Sequence, residues 1–174
     1  MSEKRRIKVV KMDITRMDTG AIVNAANSSL VAGGGVDGAI HRAAGPKLQL
    51  ACRKHKGCPT GEARVTDGYN LPASHVIHTV GPIWRGGDNN ENALLAACYR
   101  NSLVEVARLG LDSVAFPSIS TGAFGFPLQQ AARIAVGEVK HFLDEHPKPE
   151  MVYHVCFGPG VLEAYQAAVA EIWG

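Results

Sequence analysis

Short runs of β-branched and aliphatic residues alternate along the chain with longer stretches in which apolar positions recur every three or four residues. The short runs lie at 7–10, 21–24, 63–66, 75–80, 113–116 and 151–157, and each predicts a strand. The longest helical pattern follows Asn89. There Leu94, Leu95, Cys98, Tyr99, Ser102, Leu103 and Val106 share a face, and Gly110 supplies a stop. Pro127 opens a second helix toward Asp144, at a position where its missing N–H costs nothing. A third helix runs from near Pro159 to Trp173. An earlier one over 39–44 breaks at Gly45-Pro46 and restarts over 46–54. Strands alternating with helices predict an α/β fold with helices on both faces of a mostly parallel sheet. Ligands of such sheets sit outside the carboxyl ends of the strands, so chemistry is to be sought in the loops there.

Composition narrows the picture. The 174 residues suit one domain spanning 1–174, and no linker, repeat or low-complexity tract divides them. With 46% hydrophobic and 20% charged residues the chain can fill a single core, which excludes the disordered class. Eighteen basic residues against sixteen acidic ones leave a net +2, which points to neither a nucleic-acid nor a membrane partner. The basic cluster Lys4, Arg5, Arg6, Lys8 and Lys11 reads as a solvated segment. No apolar stretch approaches the ~20 residues of a membrane span, and Met1 to Arg6 does not lead into a signal-peptide core. Cys52, Cys58, Cys98 and Cys156 are too scattered for a disulfide framework. A cytoplasmic protein with reduced thiols is expected. Cys52, His55 and Cys58 have a metal-like spacing, but no second ligand pair accompanies them, so no metal is expected.

Two loops depart from structural filler. In the first, a strand runs into Asn24 and Asn27, then into Gly33-Gly34-Gly35 and Asp37 at the mouth of a helix, with His41 one turn on. Glycines let the backbone approach a ligand with its N–H groups outward, and the helix N-terminus adds positive potential, which together suit a phosphate. The second loop runs over 117–127, with Ser118, Ser120, Thr121, Gly122, Gly125, Phe124 and Phe126 between a strand and Pro127. Two such loops at one sheet edge can hold a diphosphate between them. Plainer roles are open for each: a tight turn for the glycines, an N-cap for Asp37, a satisfied histidine for His41, core packing for the two phenylalanines. The patterns of nucleoside-triphosphate hydrolysis, dinucleotide redox and the serine elbow are missing. The residues alone reach an α/β domain that binds a phosphorylated ligand.

The run Asn24-Ala25-Ala26-Asn27, followed by Gly33-Gly34-Gly35-Val36-Asp37-Gly38-Ala39-Ile40-His41, resembles the signature of the macrodomain family, in particular its MacroD-type branch of ADP-ribose ester hydrolases. Further matches follow in order at Asp13-Ile14-Thr15, 58–63, 78–84 and 118–127, so the resemblance covers about residues 7 to 157. It implies a three-layer α/β/α sandwich with a mixed, largely parallel sheet. It also implies a hydrolase of O-acetyl-ADP-ribose and of mono-ADP-ribosyl glutamate or aspartate on proteins, working without a cofactor. The rival within the family is a module that binds ADP-ribose without turning it over; Asn27 with Asp37 and His41 favours the hydrolase.

By the same resemblance Asp13 accepts from the adenine amino group, with the Ile14 N–H beside it and Phe157 flanking the ring. Asn27 contacts the distal ribose. Gly34, Gly35 and Val36 line the diphosphate and distal ribose from one side. Ser120, Thr121, Gly122, Ala123 and Phe124 do so from the other. Asp37 is the implied catalytic aspartate, Asn27 and His41 its companions. The chain departs from the family pattern at Met12, where glycine is usual, at Phe124 and Phe126, where tyrosine is frequent, and at Gly158-Pro159-Gly160.

Overall fold

A computed structural model describes residues 5–174. Lys4 of the basic cluster lies outside the described residues. Six strands, β1 (Ile7–Lys11), β2 (Ala21–Ala25), β3 (Ala63–Asp67), β4 (His75–Thr79), β5 (Ser113–Phe116) and β6 (Met151–Cys156), form one sheet in the order β1-β6-β5-β2-β4-β3. Every neighbouring pair is parallel except β3 with β4, so the sheet is mixed and largely parallel. The parallel strands therefore deliver their carboxyl ends to one edge. β2 pairs with β5 at Ala21↔Val114 and Ile22↔Ala115, and beyond that point the two chains separate. The gap between them is where the two loops diverge.

Strand alternation sorts side chains to two cores. Ile22, Val76, Ala115 and Val155 face α1 (Gly35–Ala44) and α2 (Lys47–Arg53) through Ile40, Leu48 and Cys52. Ala21, Val23, Val114 and Phe116 face α3 (Glu91–Arg108), α4 (Leu128–Glu145) and α5 (Val161–Trp173). Helices thus cover both faces, as expected. The helical face at Leu95, Cys98, Tyr99, Ser102, Leu103 and Val106 is buried throughout.

Several boundaries move by a residue or more. α1 begins at Gly35 rather than at Ala39, so Asp37 stands in the first helical turn and Gly34 takes the N-cap. β4 stops at Thr79 and β6 at Cys156, one residue before the ends that apolar content suggested, which leaves Phe157 outside the sheet. A short 3-10 turn at Ile14–Arg16, capped by Asp13, was not foreseen. Arg6 is not a free solvated residue: its guanidinium donates to the carbonyls of Leu143, His146 and Pro149, tying the entry of β1 to the end of α4.

Candidate functional site

A cleft of about 980 Å³ opens at the carboxyl edge of the sheet. Its walls are the loops that follow β1, β2, β5 and β6, and every residue assigned above to ligand binding lines it. That volume is at the upper end of ordinary small-molecule sites.

The loop after β2 is organised by one carboxylate. Asp37 is 6% exposed, and its Oδ2 accepts from the Gly33 N–H at 2.7 Å. Oδ1 accepts from Asn24 Nδ2 at 2.7 Å and lies 3.3 Å from His41 Nε2. Asp37 is therefore not an N-cap. It folds the glycine loop back onto its own helix and keeps an edge toward the cleft. The packing needs glycine at 38, because a Cβ there would fall 2.5 Å from the Gly33 carbonyl oxygen. Asn27 lines the cleft, but its amide works inside the loop: Nδ2 donates to the Val31 carbonyl at 2.7 Å, and Oδ1 accepts from Ser29 Oγ and the Val31 N–H.

The loop after β5 is held differently. Tyr165 donates to Ser118 Oγ at 3.0 Å, and Thr121 donates to the same oxygen at 2.7 Å. Tyr99 accepts from the Ile119 N–H and donates to the Pro117 carbonyl, each at 3.3 Å. Burial pushes the Tyr165 phenol up to about 12 and raises that of Tyr99 as well, so both hydroxyls stay neutral and can donate. Ser120 sits at φ 67°, in the left-handed region. Gly81 makes room for it, since a Cβ at 81 would meet Ser120 Oγ at 2.2 Å. From outside, Trp84 donates its N–H to the Phe124 carbonyl and packs on Phe126 at 4.8 Å between ring centroids. Phe126 is core; Phe124 is half-buried and faces the cleft.

The Trp84 segment is itself pinned by Glu91. That side chain is buried and accepts from the N–H groups of Arg85, Gly87 and Asn89 at 2.6–2.9 Å. Burial works against its ionisation, and these N–H groups outweigh it, holding the carboxyl below its usual range.

At the far end, Asp13 Oδ1 accepts from both the hydroxyl and the backbone N–H of Thr15. The Thr15 hydroxyl, then its N–H, holds the Asp13 carboxyl below the usual carboxylate range. The Ile14 backbone stands beside it. Phe157, 85% exposed, and Met12, 40% exposed, form an open apolar rim. A flat ring can lie on Phe157 with its polar edge toward Asp13.

Cys52, His55 and Cys58 do not converge. Cys52 Sγ lies 3.7 Å from His78 Nε2, His55 Nε2 meets the Val65 carbonyl, and Cys58 turns to the Pro59 carbonyl. Among the described residues no cluster of three or more His, Cys, Asp or Glu is arranged to hold a metal ion, and no helix is long and apolar enough to cross a membrane.

Several residues that shape the site had been given no role in it. Asn24, His78, Thr66, Gly81, Glu91 and Tyr165 carry the loops from behind. For Asn24 and His78 a signal existed, namely a polar side chain following aliphatic residues in a strand of a sheet covered on both faces.

The fold and cleft define an α/β/α domain with a ligand-sized cleft between two loops at adjacent strand ends. Comparison with known proteins gives the family: the Macro domain pattern matches residues 23–135, and the chain belongs to the Macro domain family. It is similar to a protein named O-acetyl-ADP-ribose deacetylase from Citrobacter koseri, with 54% identity over 172 residues and 97% of each chain covered. Among solved structures it resembles the Oceanobacillus iheyensis macrodomain with ADP, at TM-score 0.92 and 44% identity, covering 96% of this chain and 91% of the other. It also resembles the Trypanosoma brucei macrodomain in complex with ADP-ribose, at TM-score 0.89 and 44% identity, covering 95% and 69%.

Proposed function

We propose that this protein is a hydrolase that binds ADP-ribose and cleaves its esters. The substrates are O-acetyl-ADP-ribose and proteins carrying mono-ADP-ribose on glutamate or aspartate. The observation that carries the reading is Asp37: a carboxylate nine-tenths buried, held by Gly33, Asn24 and His41, and lining the cleft between the two loops. The similarity to a deacetylase and to macrodomain structures with ADP and ADP-ribose supports it.

In this reading the adenine stacks on Phe157 and its amino group donates to Asp13, beside the Ile14 N–H. Gly34, Gly35 and Val36 face the diphosphate and distal ribose from one side; Ser120, Thr121, Gly122, Ala123 and Phe124 do so from the other. The N-terminus of α1 favours the phosphate charge. Asn27 turns its amide to the distal ribose, exchanging its bonds within the loop for bonds to hydroxyls. Asp37 orients the attacking water and takes its proton, with His41 steadying the carboxylate. The water oxygen bonds to the anomeric carbon of the distal ribose, the bond from that carbon to the ester oxygen breaks, and the acid leaves as carboxylate while Asp37 passes the water's proton to solvent. A carboxylate is a weak base, with a conjugate-acid pKa near ~4, so the departing oxygen needs no strong acid. A cytoplasmic setting, where its four free cysteines stay reduced, belongs to the same proposal.

The test is incubation with O-acetyl-ADP-ribose and with a protein modified on glutamate, following release of ADP-ribose and of free acid. Turnover of either ester is the expected result. Tight binding of ADP-ribose with no release from either would make the protein a reader of the modification and overturn the catalytic assignment.

A further inference from the structure

Asn24 is fully buried in β2, and its amide nitrogen has two polar neighbours. Nδ2 lies 2.7 Å from Asp37 Oδ1 and 3.1 Å from His78 Nδ1, while Oδ1 has no partner among the described residues. An amide with a satisfied nitrogen and an idle oxygen is oriented by its acceptors alone. Asp37 Oδ1 is one. His78 Nδ1 is the other only when the imidazole proton sits on Nε2. Nε2 lies 3.0 Å from Thr66 Oγ1, whose own hydrogen goes to the Asp67 carbonyl at 3.1 Å, so that oxygen is free to accept. The partners therefore assign the Nε2–H form.

We propose that His78 is a tautomeric lock on the site: with its proton held by Thr66, it fixes the Asn24 amide so that the second N–H of that amide faces Asp37. Asn24 and His78 are positioning residues, acting through Asp37 and not on substrate. The opposite tautomer would place a proton on Nδ1 and draw the idle Asn24 oxygen toward it. That flip would also turn the oxygen against Asp37 Oδ1, and two acceptors at that distance repel. The carboxylate would then lose one of its anchors. His78 remains neutral throughout: burial pushes it down to about 3, and His41 and His55 add to the effect. The other groups facing this chain are His41, with its ring 6.4 Å from that of His78, Cys52 on α2 at 3.7 Å from Nε2, and the Arg42 guanidinium folded back over Gly38.

The proposal rests on the hydrolase reading for its kinetic arm, and the spectroscopic arm stands without it. Nitrogen-15 NMR of the histidine rings in the unmodified protein reads the tautomer directly. Nε2–H at His78 is expected, and Nδ1–H would overturn the lock whether or not the protein turns over any ester. Thr66→Val removes the acceptor at nearly constant volume, and Thr66→Val with Cys52→Ala also removes the sulfur 3.7 Å from Nε2, the other acceptor within reach. The expected result is growth of the Nδ1–H form with a fall in kcat of about tenfold or more, since misplacement of a catalytic group is costly. The Kd for ADP-ribose should not change, and Thr66→Ser should restore both tautomer and rate. Retention of the Nε2–H form and full turnover in the double variant would overturn the proposal. So would a changed tautomer with an unchanged rate.

Discussion

Behind each of the two binding loops lies a buried histidine, and the two are accommodated in opposite ways. His78, behind the glycine loop, has a partner at each nitrogen, in Asn24 on one side and Thr66 on the other. His154, behind the second loop, has a partner at neither among the described residues. It lies among the rings of Tyr99, Phe116 and Tyr165, with centroids 5.0–6.2 Å away, as an apolar aromatic would. The glycine loop is thus backed by a directed chain of hydrogen bonds that ends at the Asp37 carboxylate. The second loop is backed by close-packed rings that lend only the Tyr99 and Tyr165 hydroxyls. A directed chain fixes the orientation of one group. Packed rings fix the shape of a whole wall. The first suits chemistry and the second suits recognition.

The largest effect comes from cutting the directed side at its end. Asp37→Ala should lower kcat by about a hundredfold or more, the usual scale for a positioned base, and leave ADP-ribose affinity intact or improved, because a negative charge near the diphosphate is gone. Single-turnover assays and calorimetry on one preparation would separate the two quantities. Equal loss of rate and affinity would erase the division of labour drawn above.

Next in size is a pH effect that sharpens the contrast between the histidines. Burial lowers both to about 3 in the folded protein, with His41 and His55 assisting at His78. The unfolded chain takes up protons near ~6.5. Between those values the unfolded state binds more protons, so stability is fully present above ~6.5 and is lost as pH falls toward about 3. Each histidine contributes a slope of about 1.4 kcal/mol per pH unit in that window. His154→Phe should remove its share of the slope and, by deleting two unpartnered nitrogens, hold or raise stability at neutral pH. Urea titrations at pH 7, 6 and 5 measure this. An unaltered slope would mean that His154 finds a partner after all.

Gly81→Ala tests the packed wall. The added methyl must displace Ser120 and Ile119, an overpacking that costs about 1–3 kcal/mol. Thermal unfolding should show the loss, and ADP-ribose should bind more weakly because Ser120 is among the residues proposed to face the diphosphate. The smallest effect is that of Tyr165→Phe, which removes one hydroxyl from Ser118 and should cost about 1 kcal/mol in ligand affinity with kcat little changed. A larger loss of rate than of affinity would put Tyr165 on the chemical side of the division.

Much of this was legible in the residues. The apolar runs located all six strands, because a parallel sheet covered on both faces leaves little else to put there. Periodicity and Pro127 located the long helices. The placing of the glycine loop and the second loop around one cleft followed from their positions at strand ends, and that of Asp13 from the family resemblance. What could not be read was whatever depends on distant partners. Arg6 reaches carbonyls 137 to 143 residues away, and no local pattern announces that. The start of α1 at Gly35 defies the poor helix propensity of glycine, because Asp37 draws the loop onto the helix. The antiparallel course of β3 is set by its pairing with β4, which alternation of elements alone does not reveal. Glu91 looks like an ordinary acid in a first helical turn, until three backbone N–H groups are seen converging on it.

Phe157 stands 85% in solvent at the open end of the cleft, and it has a calorimetric consequence. In the proposed binding mode a nucleobase settles on that ring, so apolar area on both partners leaves water at once and the association acquires a negative heat capacity. The heat released on binding therefore grows as the solution is warmed. Ligands that keep the base carry this temperature dependence with them, and ribose phosphates that lack it do not. The thermal response of binding is thereby written at the exposed rim of the cleft and not at the buried Asp37.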